Sequence, residues 1–205
     1  DDPKILSAIR IISGINSAAY WAMPELLPLL IIKVVNLSLK KGNSNYSPYN
    51  YAGFGLILAS LGFYRYANKI GKAAISLVET FGAIDQKPRT YFVYNTFVRP
   101  WVSHIRSTLL PLADSYTNAL QVGDLEFASH AALVYSYYSF LAGVDLEESA
   151  RETEKYADAT SALKQETDFY VLENYRQTIS ILSGNETFNG KIQGTYFDEE
   201  KMLKT

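Results

Sequence analysis

Cysteine is absent from this chain of 205 residues. Its absence excludes disulfides, thiolate metal ligands and cysteine nucleophiles within the chain. A cysteine-free sequence also fits a protein that folds in a reducing compartment. We therefore expect a cytoplasmic protein.

Histidine is nearly as scarce, with two residues, His104 and His130. They are far apart in sequence, and neither belongs to a spaced ligand pattern such as His-Glu-x-x-His. His104 follows Trp101 on a predicted helix face, whereas His130 lies one turn after Glu126, a residue with which it is able to pair. We expect a structural or surface role for both histidines, and we expect no metal ion and no cofactor.

Sequence motifs for catalysis are also missing. No Gly-x-x-x-x-Gly-Lys-Ser/Thr loop occurs, which excludes a P-loop nucleotide site within the chain. Ser13 and Ser60 lack the flanking glycine of a nucleophile elbow. Acidic residues cluster between Asp145 and Asp158, but they follow Gly143 at a predicted helix start, where acidic groups offset the positive helix end. The sequence therefore predicts no enzyme.

Charge of one sign is not in excess, since 19 basic and 21 acidic residues give a formal net charge of -2. Such a balanced chain is not expected to capture nucleic acid or anionic lipid. The most apolar stretch, residues 18–35, is interrupted by Pro24, Glu25, Pro28 and Lys33 and is therefore unsuited to spanning a membrane. We expect no membrane insertion, and we expect a buried helix that ends at Lys41.

The two ends of the chain predict a fragment of a longer protein. The sequence opens with Asp1 in place of methionine, and residues 199–205 have the pattern of a helix cut partway. Nothing about a targeting segment follows from such a chain.

Helical periodicity is what the sequence does contain, because apolar residues recur at intervals of three and four. Glycine-rich breaks punctuate this period, for example at residues 42–45 and 184–185. We predict an all-α fold, an irregular stack of antiparallel helical hairpins over residues 1–184, followed over 185–205 by a loop and the start of a further helix. The predicted helices span residues 3–21, 24–41, 48–61, 64–83, 90–106, 110–122, 124–142, 145–165 and 167–183.

Residues 51–74 carry a degenerate tetratricopeptide pattern of a helix, a turn and a helix. The small residues Gly55, Ala67 and Ala74 are expected to let two antiparallel helices approach closely. Gly62 marks the turn between these helices. The residues expected to fill the seam are Tyr51, Phe54 and Leu58.

A second copy of this turn lies further along the chain. Gly123 and Ala128 keep the separation of Gly62 and Ala67, at an offset of 61 residues. A regular tetratricopeptide array repeats about every 34 residues. The predicted fold is therefore tetratricopeptide-like but irregular.

Six segments of the chain stand out when taken in order: PELLPLL at 24–30, KVVNLSLKKGNS at 33–44, YAGFGLIL at 51–58, Trp101 with His104, GDLEFA at 123–128 and YFDEEKML at 196–203. Together they resemble successive landmarks of one family of very large bacterial, notably cyanobacterial, signalling proteins. Those proteins join a serine/threonine-kinase-like domain, a predicted ATPase, a helical-repeat region, a GAF sensor domain and a histidine kinase. This chain is similar to the helical-repeat region over nearly its whole length.

The resemblance implies a non-catalytic regulatory middle segment that follows an ATPase module, with catalysis in other domains of the parent. We expect this segment to be an interaction scaffold, which binds another domain of its parent or a separate signalling partner and couples the ATPase to the kinase. It carries over no catalytic residue. A second function stays open, that of a small-molecule sensor with an enclosed pocket inside the helical stack. An open apolar groove favours the first function, whereas an enclosed pocket with a few convergent polar groups favours the second.

Aromatic residues are abundant, with 16 tyrosines and 10 phenylalanines. We expect most of them in the core, because helices that are aromatic on several faces are usually buried on several sides. One set of basic residues shares a helix face that we expect to be solvated, namely Arg65, Lys69 and Lys72. The residues expected to line a protein-binding groove lie on or beside the predicted 90–106 helix and are Tyr94, Asn95, Arg99 and Arg106.

Overall fold

The computed structural model describes residues 3–202, and within that range the secondary structure is helical apart from an isolated bridge between Gln193 and Asp198. The predicted all-α class is confirmed. The chain forms two compact units, residues 1–104 and 105–205. The predicted division after residue 184 stays a prediction. Residues 1, 2 and 203–205, which include the end of the predicted last helix, lie outside the described residues.

Short connections join the helices of the first unit. Two 3₁₀ turns, Ile84–Gln86 and Arg99–Trp101, flank its last α-helix. The α-helices are α1 (Pro3–Gly14), α2 (Asn16–Ala22), α3 (Leu27–Lys41), α4 (Ser47–Ser60), α5 (Tyr64–Phe81) and α6 (Lys87–Phe97).

Helix α4 is the centre of the first unit, where it packs against α3, α5 and α6. It is apolar on several faces, as expected for a helix surrounded by others. A buried polar network ties it to the start of the chain. Asn50 donates through Nδ2 to Ser13 Oγ at 2.7 Å, and Asn16 donates to Asn50 Oδ1 at 3.1 Å. Since unpaired buried amides are costly, these bonds select one packing of the three elements.

Helices α4 and α5 approach closely at Gly55, which has no side chain to separate them. A Cβ atom built at Gly55 would lie 3.2 Å from the carbonyl oxygen of Ala67 and 3.4 Å from Val98 Cγ2. Ala67 and Ala74 are fully buried on the facing side of α5. A core cluster surrounds this contact and contains Ala59, Ala67, Tyr94 and Val98, with Leu58, Tyr64 and Ile75 packed against it.

Helix α6 packs on α5 through the ring of Tyr94, which lies on Gly71. A Cβ atom at Gly71 would overlap ring atom Cδ2 and lie 2.6 Å from Cε2. The Tyr94 hydroxyl donates to Asn68 Oδ1 at 2.8 Å, which holds the ring in place. This contact therefore requires glycine on α5.

The helix predicted over residues 3–21 is wrong in extent, because the structure interrupts it at Ile15. Gly14 ends α1, and Asn16 begins α2 with its amide turned toward Asn50. The break between α1 and α2 thus lies next to a buried hydrogen bond to α4, and the apolar periodicity of the sequence does not indicate this break.

The helix predicted over residues 90–106 is also wrong, since α6 ends at Phe97. Pro100 follows, and proline has no N–H with which to continue an α-helix. Trp101 therefore falls in a 3₁₀ turn and stacks on Tyr64, with ring centroids 4.8 Å apart. His104 lies outside the helices, so it does not share a helix face with Trp101.

The second unit is built from helical hairpins, in which α7 packs on α8 and α9 packs on α10, while α8 also contacts α9. A 3₁₀ turn, Ile105–Thr108, precedes α7. The acidic cluster of the sequence begins at a helix start as predicted, because Asp145 Oδ1 accepts the N–H of Glu147 at 2.9 Å. The α-helices are α7 (Leu109–Val122), α8 (Leu125–Leu141), α9 (Leu146–Ala162), α10 (Glu166–Leu182) and α11 (Glu199–Met202).

The two glycine turns paired by the sequence have the same backbone geometry. Gly62 and Gly123 adopt φ angles of +83° and +75°, in the left-handed region that glycine tolerates at little cost. Ala67 and Ala128, each five residues after its glycine, are fully buried. Each turn thus directs the next helix back so that a small residue faces the hairpin contact.

Candidate interaction surface

The residues predicted to line a groove fall in both units. In the first unit, Tyr94 and Asn95 are 6% and 2% exposed. Asn95 donates through Nδ2 to the carbonyl oxygen of Tyr91 at 2.8 Å, and its Oδ1 accepts a hydrogen bond from Arg99 Nη1 at 3.1 Å. These side chains therefore hold together the interior of the unit.

Arg106 belongs to the second unit. Its Nη2 donates to the carbonyl oxygens of Ala142 and Gly143 at 3.0 and 3.1 Å. A cation at this place offsets the negative end of α8. Protein binding by Tyr94, Asn95, Arg99 and Arg106 stays a prediction.

Helix α3 has a buried face that packs against α4. Ile31 contacts α4 at Gly53, where an added Cβ atom would lie 2.9 Å from Ile31 Cδ1. Four residues spaced three, one and three positions apart form this buried face, namely Ile31, Val34, Val35 and Ser38.

A second face of α3 is also apolar but is exposed. Leu29, Ile32 and Leu39 are 65%, 38% and 70% exposed. Together with the exposed Asn36 they recur at intervals of three, four and three, which places them along one line of the helix. We call Leu29, Ile32, Asn36 and Leu39 the α3 stripe. The sequence analysis treats this helix as buried, and it misses the second apolar series because periodicity does not say which face lies inside.

Neighbouring helices add further exposed apolar side chains to this part of the first unit. Helices α1 and α2 contact α3. Ile11, Trp21 and Met23 are 66%, 65% and 50% exposed. Large apolar side chains are thus exposed on α1 and at the end of α2 as well as on α3, and such side chains, where they form one patch, are typical of a surface that binds another macromolecule.

A charged cluster in the second unit consists of His130, Glu126 and Asp168. His130 Nδ1 lies 2.7 Å from Asp168 Oδ2, and Nε2 lies 3.8 Å from Glu126 Oε1. Burial lowers the pKa of His130, but the hydrogen bonds to Asp168 and Glu126 outweigh it and raise the pKa to about 9. The pairing with Glu126 predicted from the sequence is confirmed. Asp168 joins from α10, so the cluster fastens α8 to the first turn of α10.

Residues 185–198, which we call the strap, lie against α10. Arg176 Nη1 donates to Glu173 Oε1 at 2.7 Å and its Nη2 donates to Glu154 Oε1 at 3.1 Å. The guanidinium also lies 4.2 Å from the ring centroid of Tyr196 on the strap. The cleft beside these residues has a volume of about 90 Å³. Pockets for small-molecule ligands usually measure roughly 300–1,000 Å³.

Gln177 fastens the strap at a second point. Its side chain is fully buried, with Nε2 donating to Glu186 Oε2 at 2.6 Å and Oε1 accepting the N–H of Tyr196 at 3.0 Å. Gly194 lies directly against this pair, and an added Cβ atom would overlap the Glu186 carboxylate and the Gln177 amide. The strap is therefore closed on α10 at a place that requires glycine.

We expect Gly194→Ala to loosen the strap. The added methyl group displaces Glu186, and the buried Gln177 amide then loses a partner at a cost of about 1–3 kcal/mol. Hydrogen exchange of the strap amides, followed by mass spectrometry, should accelerate about tenfold. The exposed Thr187 provides the control, because Thr187→Ala changes the same segment without touching this contact. Equal exchange in the two variants would show that Gly194 is not a packing requirement.

Two negative findings apply to residues 3–202. In this range no group of three or more His, Asp or Glu side chains has an arrangement that could hold a metal ion. Across the same residues, no helix combines the length and the apolar character that a membrane crossing requires.

Comparison with known proteins gives a similarity to a signalling protein. The chain is 20% identical, over 190 residues that make up 90% of its length, to hybrid signal transduction histidine kinase G of Dictyostelium discoideum. It spans about 5% of the length of that protein. No family model matches the chain, and no solved structure matches it. The chain is thus similar to a segment of a histidine kinase, while the tetratricopeptide type and the bacterial family stay predictions.

Proposed function

We propose that this chain is a non-catalytic regulatory segment of a larger signalling protein, and that it acts by binding another protein segment. The observation that carries the proposal is the α3 stripe. A helix that already buries one apolar face needs no second one for folding, and exposure of Leu29 and Leu39 to water is unfavourable unless a partner covers them.

The similarity to a histidine kinase supplies the context of the proposal. The matched segment is about a twentieth of that protein. Catalysis then belongs to other parts of the protein, and this segment passes a conformational bias to them when its partner binds. The cleft beside Arg176 is small for an effector, so this cleft gives the sensing function no support.

Phosphorylation by the full-length protein that contains this chain tests the proposal. We expect the double variant Leu29→Ser/Leu39→Ser to change the rate of histidine autophosphorylation at least about fivefold. This factor corresponds to the lower end of typical coupling free energies between two sites. Leu110→Ser in the second unit is the matched control, since Leu110 is 73% exposed and lies outside the stripe. A full-length protein without phosphotransfer activity, or equal activity in both variants, would contradict the proposal.

A further inference from the structure

Charge is divided unevenly between the two units, although the whole chain is nearly balanced. Residues 1–104 contain 11 Lys and Arg against five Asp and Glu, a formal charge of +6. Residues 105–205 contain eight against 16, a formal charge of -8. The first unit, which carries the α3 stripe, therefore attracts negatively charged partners.

Two lysines border the α3 stripe. Lys33 follows Leu29 by four positions, and Lys40 follows Asn36 by four, so both lie along the same side of the stripe. Both are exposed. Among residues 3–202, no carboxylate forms an ion pair with either lysine. The positive charge beside the stripe is thus available to a partner.

The arrangement has the pattern of one strand of a coiled coil. In heptad notation, Leu29 and Asn36 occupy a positions and Ile32 and Leu39 occupy d positions. Lys33 and Lys40 then fall at e positions, where charged residues set the choice of partner. A polar residue such as Asn36 at an a position fixes the register of the pairing at a cost in stability. The pattern therefore describes a seam for a second helix.

The partner helix is defined by complementarity to this seam. It needs apolar residues at its own a and d positions, and Glu or Asp at the positions that face Lys33 and Lys40. A second copy of α3 does not meet the requirement, because antiparallel pairing would bring lysines against lysines.

We propose that the α3 stripe binds an amphipathic helix with acidic flanks. This inference rests on the proposed function and names the chemistry of the partner. The apolar line supplies most of the contact surface, while Lys33 and Lys40 select against basic helices and accelerate encounter with acidic ones.

Two designed peptides of about three heptads test the inference. Both have Ile at a, Leu at d and one central Asn at a, and they differ in having Glu or Lys at every e and g position. Like charges keep each peptide from pairing with itself. Binding of each to the complete chain is measured by chemical-shift changes of α3 amides at low salt. We expect the Glu peptide to bind at least about tenfold more tightly than the Lys peptide, and the preference to shrink as salt is added.

Charge reversal gives the decisive comparison. We expect Lys33→Glu/Lys40→Glu to invert the preference, so that the Lys peptide binds more tightly. The variant Leu29→Ser/Leu39→Ser should bind neither peptide. The control variant Leu110→Ser should bind both peptides with the affinities of the unaltered chain. Helix content by circular dichroism checks that each variant is folded.

Three results would overturn the inference. Equal binding of the two peptides would show that the stripe binds helices without a preference for acidic ones. The proposed function would then stand, but the inference about acidic flanks would be wrong. If neither peptide binds, the partner of the stripe is not a helix of this kind. The phosphorylation assay on the full-length protein tests the proposed function separately. A dimer of the chain alone in sedimentation, abolished by the Leu29 and Leu39 substitutions, would show that a second copy occupies the stripe.

Discussion

Gly71→Ala is expected to destabilise the first unit by about 1–2 kcal/mol. The new methyl group overlaps the ring of Tyr94. This side chain is only 6% exposed, and its hydroxyl is held by a hydrogen bond to Asn68. Overpacking of this kind typically costs about 1–3 kcal/mol, which outweighs the helix-propensity gain of up to about 1 kcal/mol for replacing glycine with alanine. The hydrogen bond to Asn68 and the burial of the ring oppose its displacement, so we expect the separation of α5 and α6 to change.

Urea unfolding followed by tryptophan fluorescence measures this effect. The two tryptophans, Trp21 and Trp101, both lie within residues 1–104, so the signal reports the first unit. Gly14→Ala is the matched control, because Gly14 is also helical and an added Cβ atom there has no neighbour within 4 Å. We expect this control to be unchanged or up to about 1 kcal/mol more stable. A similar gain for Gly71→Ala would contradict the described packing of Tyr94.

Asp168→Asn is expected to destabilise the second unit by about 3 kcal/mol at pH 7. The substitution keeps the shape of the side chain but removes the charge that lies 2.7 Å from His130. Asp168 is 5% exposed and the His130 side chain is 19% exposed, so water screens the pair weakly. Removing one partner of a buried ion pair typically costs about 3–5 kcal/mol.

The same pair makes stability depend on pH. The pKa of His130 is about 9 in the folded chain and 6.5 in its ordinary, unfolded state. Because the folded value is raised, the stabilisation is fully present below pH 6.5 and is lost as the pH rises through 9. The difference between the two values corresponds to about 3 kcal/mol. In the Asp168→Asn variant, most of this pH dependence should disappear.

Nuclear magnetic resonance of His130 tests the prediction directly. The background variant His104→Gln leaves His130 as the sole histidine, so its ring resonances need no further assignment. We expect a midpoint near pH 9, moving toward 6.5 in Asp168→Asn. The unfolding free energies of the two proteins should differ by about 3 kcal/mol at pH 6 and approach each other at pH 9.5. A His130 midpoint near 6.5 in the unaltered chain would contradict the charged cluster.

Local features of the fold were predictable from the sequence. Glycine with a left-handed backbone ends a helix through its own conformational freedom, so Gly62 and Gly123 mark turns without knowledge of the rest of the chain. The pairing of His130 with Glu126 follows in the same way from the four-residue repeat of a helix.

Contacts between distant residues were not predictable. Asp168 lies 38 residues after His130, and no pattern joins them until α10 is packed on α8. The strap depends on Gln177, Glu186 and Gly194, which come together only because the chain folds back on α10. Pro100 was readable as a helix stop, but the apolar period around it favoured a longer helix.

The α3 stripe shows the same limit. Two apolar series run along residues 27–41, and either could face the interior. Only the packing of Ile31 on Gly53 establishes which series is left outside. The candidate binding surface therefore emerges from the fold and not from the sequence pattern.

Calorimetric titration of the chain with the other segments of the larger signalling protein that we propose tests the central claim most directly. We expect saturable binding to one of these segments, reduced at least about tenfold by Leu29→Ser/Leu39→Ser and unchanged by Leu110→Ser. Absence of binding to every segment, or binding that the stripe substitutions leave intact, would contradict a regulatory role exerted through α3.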